Sequence, residues 1–398
     1  MHQKNVTTPL KRNIWYSIDA VPAEDWDHVV TNRNLYLSRA YLSALETHMM
    51  EHMRLVYSVS YTEDGKAVLA AAFQLVQFID KRRAYSKALC KLSYHVTKKI
   101  ADVFTINVLV CGNVFADGEN GFIWSEDLSA ENAIDEMEQT ILELKENSEI
   151  RELSSITLFK EFWPESTSFT ERLLNFRYRG FMIDVNMVLH ISEDWKNLDD
   201  YLGSMKTKFR TRAKSVFKKS EAIQVRSIDA AQIREHKARI QELFGNVLEK
   251  SDFSFGKLNV LAFAAFAESL GEAFTFRGFF LEDQLVGFST SLLNKGNLEA
   301  NFVGLDYNYN VGYCIYQRML YDYVEQALAC GAKELQLGRT AEQIKSTIGA
   351  IPMNMKLYAK HRSSVPNLLL KPIIRSIAPS EFELRQPFKT TIAGEWIH

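Results

Sequence analysis

The sequence contains only four cysteines among 398 residues. They are Cys90, Cys111, Cys314 and Cys330, and no two of them have the CxxC spacing of a redox or zinc-binding pair. Each lies among apolar neighbours, which indicates free thiols in a reducing compartment. The cysteines therefore predict neither a disulfide framework nor a zinc site.

Long apolar runs are also missing. No stretch of about 18 apolar residues predicts a membrane-spanning helix, and the first residues, MHQKNVTTPLKRN, lack the apolar core of a signal peptide. We therefore expect a cytoplasmic protein, with contact to the inner face of the membrane left open. The formal net charge is -2, so an anionic partner would have to be met by a local basic patch.

Several chemical signatures are absent as well. The chain has no Walker motif, no spacing of metal ligands, and no histidine placed with serine, aspartate or cysteine as in a hydrolase. These absences exclude neither transfer chemistry nor binding. We expect no metal and no permanently bound cofactor.

The composition is that of a globular protein, with 46% hydrophobic and 24% charged residues. A length of 398 residues predicts two domains, and hydrophobic periodicity predicts a similar order of strands and helices in each half. The predicted fold is α/β with mixed sheets, each flanked by helices. We place the domains at 1–192 and 193–365 and treat 366–398 as a tail.

The stretch from Asn297 to Tyr358 predicts one βαβ crossover. A strand over Leu298–Leu305 precedes a polar, glycine-containing turn over Asp306–Tyr313, and an amphipathic helix and a strand over Glu334–Gly338 follow. The loop of such a unit is where α/β folds commonly bind phosphates.

A basic segment runs from Lys206 to Lys219, with seven basic residues and no acidic one. On a helix, one apolar arc would carry Met205, Phe209, Ala213, Val216 and Phe217, with positive charge on both shoulders. The segment is either a site for phosphate, from coenzyme A, tRNA or a phospholipid, or a solvated helix face. Two other basic and apolar stretches, 81–99 and the tail after Pro366, could lie on the protein body or at a membrane.

Taken in order, these motifs resemble the C-terminal half of FemAB-like and CelD/BioF2-like acyltransferases, which belong to the GNAT (Gcn5-related N-acetyltransferase) superfamily. The matching features cover about residues 200 to 360: the basic helix, a strand followed by Gly304 and Asp306, a strand ending at Gly338, and the K-x-x-x-G-A segment at Lys345. The N-terminal half resembles the family only in element order.

The resemblance implies two GNAT-like domains in tandem and transfer of an acyl or aminoacyl group to an amine. Acyl-coenzyme A or acyl carrier protein is the expected co-substrate, and an amine-containing small molecule or lipid precursor of the cell envelope is the expected acceptor. The usual donor-phosphate loop would fall at Tyr309–Cys314, where only Gly312 of its glycines is present. Donor phosphates would then contact Gly312 together with basic side chains of the helix, which are Lys206, Lys208, Arg210 and Arg212.

Acyl transfer to an amine needs a base, oxyanion stabilisation and an acid for the leaving group. We interpret Asp306 as the base or an amine-binding carboxylate, with helix capping as its alternative role. Glu299 is a second base candidate, and Asn301 projects from the same sheet face. Tyr313 is a candidate acid or a core residue.

Two cations follow the second strand of the crossover. Arg339 and Lys345 could bind a carboxylate or phosphate of the substrate, or could form surface salt bridges. Two other functions stay open: a tRNA-dependent aminoacyl transferase of the peptidoglycan-bridge type, although Ala231–Leu270 is too short and interrupted for the long helical arm of those enzymes, and a non-catalytic binding protein.

Overall fold

The computed structural model describes residues 10–49, 53–79, 105–182, 185–250, 258–364, 366–367 and 382–389. The basic stretch 81–99 and most of the tail after Pro366 lie outside these residues. Within them, the predicted fold class is confirmed, since two mixed sheets are each flanked by helices.

The first sheet has eight strands among the described residues, in the order β1-β2-β3-β4-β6-β15-β7, with β5 paired to β3. Its pairings are antiparallel except for the parallel pair β4–β6. The strands are β1 (Lys11–Trp15), β2 (Met53–Tyr61), β3 (Ala67–Ile79), β4 (Thr105–Cys111), β5 (Phe122–Trp124), β6 (Ile156–Phe162), β7 (Arg179–Phe181) and β15 (Lys356–His361).

The second sheet has seven strands in the described part of the chain, in the order β14-β8-β13-β12-β11-β10-β9. It also holds one parallel pair, β12–β13. The strands are β8 (Val185–His190), β9 (Ile223–Ser227), β10 (Phe274–Leu281), β11 (Gln284–Asn294), β12 (Asn297–Leu305), β13 (Glu334–Gln336) and β14 (Ile351–Asn354).

The two sheets exchange strands across the predicted boundary at 192/193. β8 precedes that boundary but pairs with β13 and β14 of the second sheet. β15 comes near the end of the chain but lies between β6 and β7 of the first sheet. Each sheet is thus completed by a segment from the other half of the sequence.

Thirteen α-helices occur among the described residues, and each parallel strand pair is connected through one or more of them. They are α1 (Ala23–Val30), α2 (Arg39–Thr47), α3 (Ala130–Leu144), α4 (Ser148–Glu152), α5 (Thr167–Thr170), α6 (Leu198–Ser204), α7 (Thr207–Lys219), α8 (Ala230–Glu235), α9 (Lys237–Lys250), α10 (Leu261–Leu270), α11 (Tyr307–Tyr313), α12 (Ile315–Ala329) and α13 (Glu342–Ser346). No helix in the described ranges is both long and apolar enough to cross a bilayer.

The predicted helix around the basic segment is interrupted, because α6 ends at Ser204 and α7 begins at Thr207. Met205 is buried and forms a β-bridge with Phe388, and the Lys206 N–H donates to the Pro387 carbonyl at 2.8 Å. These bonds hold residues 205–206 in an extended conformation. The predicted apolar arc of α7 is confirmed, since Ala213 and Val216 are buried.

The turn predicted over Asp306–Tyr313 is wrong, because residues 307–313 form helix α11. Asp306 accepts a hydrogen bond from the Asn308 N–H at 3.0 Å and so caps the helix. Tyr309 and Tyr313, four residues apart, then meet on one face with ring centroids 6.4 Å apart. Local capping and this aromatic pair outweigh the turn propensity of the asparagines and glycine.

The largest apolar cluster lies where the two halves meet. Helix α2 packs against α10, and the Tyr41 ring stacks on the Phe266 ring at 4.9 Å between centroids. The cluster joins residues on both sides of the predicted boundary, from Ile18 to Leu292. This shared core fixes the two halves against each other and positions the polar groups described next.

Candidate active site between the two halves

Strands β12 and β13 separate after a short parallel pairing. They pair at Leu298 with Leu335 and at Glu299 with Gln336. Beyond Gln336 the chain follows β8 instead, with the Leu337 N–H donating to the Met187 carbonyl at 2.8 Å, while β12 stays paired with β11 up to Leu305. The two strands therefore leave a gap in the sheet beyond Glu299 and Gln336.

A β-bulge in β12 lies at this gap. The register shifts between Ser289, which faces Val303, and Ser291, which faces Ala300. The extra residue turns the Asn301 side chain toward the first half, where its Nδ2 donates to the Tyr36 hydroxyl at 3.0 Å. The Asn301 Oδ1 is buried and accepts no hydrogen bond from a described residue.

Glu299 is the most strongly positioned carboxylate of the gap. Its Oε2 accepts from the Tyr36 hydroxyl at 2.6 Å, and its Oε1 accepts from Asn294 Nδ2 at 2.9 Å. Burial raises the pKa of Glu299 to about 7, which the two hydrogen bonds oppose and the charge of Asp117 supports. A carboxyl group with this pKa can take and return a proton near neutral pH.

Tyr36 connects this carboxylate to the first half. It lies in a short 3₁₀ turn, Leu35–Leu37, capped by Asn34, and is buried against Tyr41 with ring centroids 5.0 Å apart. Burial, with the Glu299 charge as a second cause, raises the pKa of Tyr36 well above its ordinary value. Tyr36 is thus a neutral hydroxyl held between Glu299 and Asn301.

A second cluster lies around Arg339, just past the end of β13. Its guanidinium pairs with Glu161 and with Asp117, the latter at 3.3 Å from Nε to Oδ1. Lys160 Nζ lies 2.6 Å from Glu161 Oε2. Two cations and two carboxylates therefore join the second half to the loop and strand of the first.

A bulge in β6 explains why consecutive residues both enter this cluster. The β6–β15 register shifts between the partners of Lys356 and Tyr358, and Glu161 has a φ of 60°. Side chains that would alternate in a regular strand therefore lie on the same side. Burial and the neighbouring Arg339 lower the pKa of Lys160 well below its ordinary value.

Lys345 belongs to the same region and is buried, not at the surface. Its Nζ donates to the carbonyl oxygens of Gly338, at 3.1 Å, and Arg339. Burial lowers the pKa of Lys345 to about 8, while Asp117 opposes the shift. Gly338 has a φ of +71°, and an added Cβ would lie 2.9 Å from Asp117 Oδ2, so this position needs glycine.

Among the predicted site residues, Glu299 and Asn301 meet at Tyr36, and Arg339 and Lys345 meet at the end of β13. The charge of Asp117 acts on both Glu299 and Lys345.

Asp306, Gly312 and Tyr313 take part in none of these contacts. Asp306 uses Oδ1 to cap α11 and Oδ2 to pair with Arg239 Nη2 at 2.6 Å. This is the capping role that the sequence allows as its alternative.

Tyr313 ends α11, packed in an apolar cluster with Tyr309. Gly312 is exposed, with open space around it. At the start of α12 the Tyr316 N–H donates to Asn310 Oδ1 at 2.9 Å. This N–H lies just after the predicted phosphate loop and is satisfied within the protein.

The predicted donor-binding cations lie on or next to α7, away from the ion cluster. Lys206, Lys208 and Arg212 are exposed and Arg210 is partly buried. None of the four forms an ion pair with a described residue. Apart from the bond between Lys206 Nζ and the Gln386 carbonyl at 3.1 Å, their charges face solvent.

Sequence reasoning missed four residues of the first half: Tyr36, Asp117, Lys160 and Glu161. For Lys160 and Glu161 a signal exists, because two adjacent charges end the otherwise apolar strand ITLFKEF. Tyr36 and Asp117 carry no comparable signal in the sequence. Among the described residues, no group of three or more histidine, cysteine or acidic side chains could hold a metal ion.

Comparisons with known proteins reach this chain through structure alone. No protein-family model matches the sequence, and no curated protein matches it as a relative. A crystal structure of FemX superposes on 90% of this chain and 100% of its own, with a TM-score of 0.55 and 9% identity. A tandem GNAT protein from the clavulanic acid biosynthesis pathway covers 89% of this chain and 99% of its own, with a TM-score of 0.52 and 8% identity.

These similarities cover about nine-tenths of this chain and so extend over both of its halves. At this level of identity they concern the fold and not the activity. The chain has a fold similar to that of FemX and of the tandem GNAT protein, with two mixed α/β halves in tandem.

Proposed function

We propose that this protein is an acyltransferase that moves an acyl group from a thioester donor to an amine acceptor in cell-envelope or lipid metabolism. The observation that carries the proposal is Glu299, a buried carboxyl group with a pKa of about 7. It is held by Tyr36 and Asn294 beside the gap between β12 and β13. Such a group suits proton transfer during attack of an amine on a carbonyl.

In the proposed reaction, the acceptor enters as an ammonium and gives a proton to ionised Glu299. The neutral amine attacks the thioester carbonyl carbon, and the carbon–sulfur bond breaks as the amide forms. The departing thiolate receives a proton through the Tyr36 hydroxyl, which Glu299 reprotonates. The products are an amide and a free thiol, and Glu299 ends in its starting state once a second amine proton has left to solvent.

Other groups of the site position the reactants. Asn301 Nδ2 donates a hydrogen bond to the Tyr36 hydroxyl. The buried Asn301 Oδ1 can accept a hydrogen bond from an N–H of the amine substrate. Arg339 and Lys345 supply positive charge near the end of β13 for a carboxylate or phosphate of a substrate. In this proposal the base is Glu299, whose pKa burial raises to about 7. Asp306 instead caps α11 and forms an ion pair with Arg239.

An aminoacyl-tRNA is the second candidate donor. Its ester carbonyl would present the same chemistry to Glu299, and the seven basic residues from Lys206 to Lys219 offer charge for a phosphate backbone. A salt-dependent gel shift with tRNA would favour this donor.

The test begins with mass spectrometry of small molecules that co-purify with the protein, followed by assays of thiol release from acyl-coenzyme A and acyl carrier protein thioesters with a panel of amines. We expect amine-dependent thiol release that Glu299→Gln abolishes and Asp306→Asn preserves. Equal rates for the wild type and Glu299→Gln would contradict the assignment. If no thioester or aminoacyl ester is consumed, the protein is a non-catalytic binding protein.

A further inference from the structure

Helix α7 concentrates positive charge that no described residue neutralises. Its seven basic residues, counting the N-cap, form no ion pair with a described residue, and they are Lys206, Lys208, Arg210, Arg212, Lys214, Lys218 and Lys219. They lie along a helix of 13 residues, or about 20 Å. The whole chain has a net charge of -2, so this density is local.

The apolar arc of α7 packs against the rest of the protein. The charge therefore lies on the faces of α7 that do not take part in this packing. Phe217 packs on Tyr321 of α12 with ring centroids 5.4 Å apart, and Arg318 of α12 lies over the Phe217 ring at 4.9 Å. The two basic shoulders are left to solvent. A negatively charged partner outside the protein would relieve the repulsion between them.

Helix α11 packs beside α7 and exposes an apolar residue. The side chain of Val311 is 83% exposed, the largest exposure among the large apolar residues described. Tyr309 and Tyr313 lie on the other face of α11, where they are partly buried in an apolar cluster. At its first turn, the Lys250 ammonium lies 3.3 Å from the centroid of the Tyr307 ring.

We propose that α7 and α11 form a docking surface for an anionic phospholipid membrane. Lysine and arginine would contact lipid phosphates, and Val311 would enter the interface between headgroups and acyl chains. An exposed valine gains little from a phosphate backbone but gains from an apolar layer, which favours a lipid surface over RNA. This surface uses none of the groups around Glu299, whereas an aminoacyl-tRNA donor would use the same basic residues of α7.

The experiment is flotation of the purified full-length protein with phosphatidylcholine vesicles that contain or lack phosphatidylglycerol. We expect binding only to the anionic vesicles, weakened by salt. Lys208→Gln with Arg212→Gln should lower the partition coefficient roughly 25-fold, about fivefold per charge. Val311→Ser should lower it about tenfold at unchanged charge.

The matched control is Lys237→Gln, an exposed lysine on α9. Lys237 belongs to neither α7 nor α11, so this variant should bind vesicles like the wild type. Circular dichroism melting checks that every variant folds.

Three results would overturn the proposal: no binding to anionic vesicles at low salt, equal losses for Lys237→Gln and the α7 pair, or wild-type binding by Val311→Ser. Binding to tRNA that Val311→Ser leaves unchanged, without vesicle binding, would assign the surface to nucleic acid.

Discussion

Two regions of this protein are rich in positive charge, and they differ in what surrounds that charge. Between the halves, Arg339, Lys345 and Lys160 are at least mostly buried and contact carboxylates or carbonyl oxygens. On α7, seven basic residues are mostly exposed and form no ion pair with described residues. Because the first group is buried, its charges affect proton transfer and the stability of the fold. Because the second group is exposed, its charges contribute little to stability and are available to bind a partner.

The largest expected effect separates the two carboxylates proposed as bases. Glu299→Gln should lower the rate of acyl transfer by roughly 100- to 10,000-fold, because it removes the proton acceptor while preserving shape. Asp306→Asn should lower it less than tenfold. Single-turnover rates with the identified substrates measure both, and the reverse order would restore Asp306 as the base.

The next effect concerns folding. Arg339→Ala should lower the free energy of unfolding by about 3 to 5 kcal/mol. The Glu161 carboxylate would stay buried after losing the guanidinium that pairs with it. Adding Glu161→Gln should recover part of the loss. Urea denaturation measures both variants, and a loss below about 1 kcal/mol would mean that the buried cluster behaves like a surface pair.

A pH series sharpens the comparison further. Glu299 has a pKa of about 7 in the folded protein against about 4.3 in an unfolded chain. The folded state therefore binds its proton more tightly, so stability is lost as the pH rises from about 4 to 7. Relative to Glu299→Gln, the wild type should lose roughly 3 to 4 kcal/mol across this range.

Denaturation of the two proteins at matched pH values tests this linkage, since the other titrating groups cancel in the difference. If the free energy of unfolding changes with pH in the same way for both proteins, the raised pKa of Glu299 is contradicted. The same group predicts a transfer rate that rises with pH through about 7, where Glu299 becomes the ionised base.

The smallest effect is expected on α7. Lys214→Ala should change the free energy of unfolding by less than about 0.5 kcal/mol, because the side chain is exposed and forms no ion pair with described residues. Thermal melting of the Lys214→Ala and Arg339→Ala variants under the same conditions compares the exposed and the buried region directly. A stabilisation larger than this would indicate strong repulsion along the helix.

Much of this contrast could be predicted from the sequence, and the reasons for the remainder are physical. Periodicity correctly predicts the apolar arc of α7 and the strand that carries Glu299, because both follow local patterns. It cannot predict that Tyr36 meets Glu299, since the contact joins residues 263 positions apart. In the same way, the local sequence around Lys345 and Arg339 cannot predict their burial, because that burial depends on the first half of the chain.

Local reasoning could not decide between the two roles of Asp306. The same residue type at the end of a strand can serve as a base or cap a helix, and only the next seven residues decide. Bulges in β6 and β12 turn Glu161 and Asn301 toward the site. A one-residue register shift leaves no clear sequence signal, because it depends on the paired strand.

The position of β15 has a consequence for synthesis on the ribosome. The first sheet needs residues 356–361 between β6 and β7, but β7 ends at Phe181, so 180 residues separate its end from His361. At about 5 to 20 residues per second, the nascent chain waits roughly 10 to 35 s with these strand edges unpaired. The first sheet therefore cannot be completed during synthesis before His361 has been made. Chaperones that shield strand edges should bind during this interval.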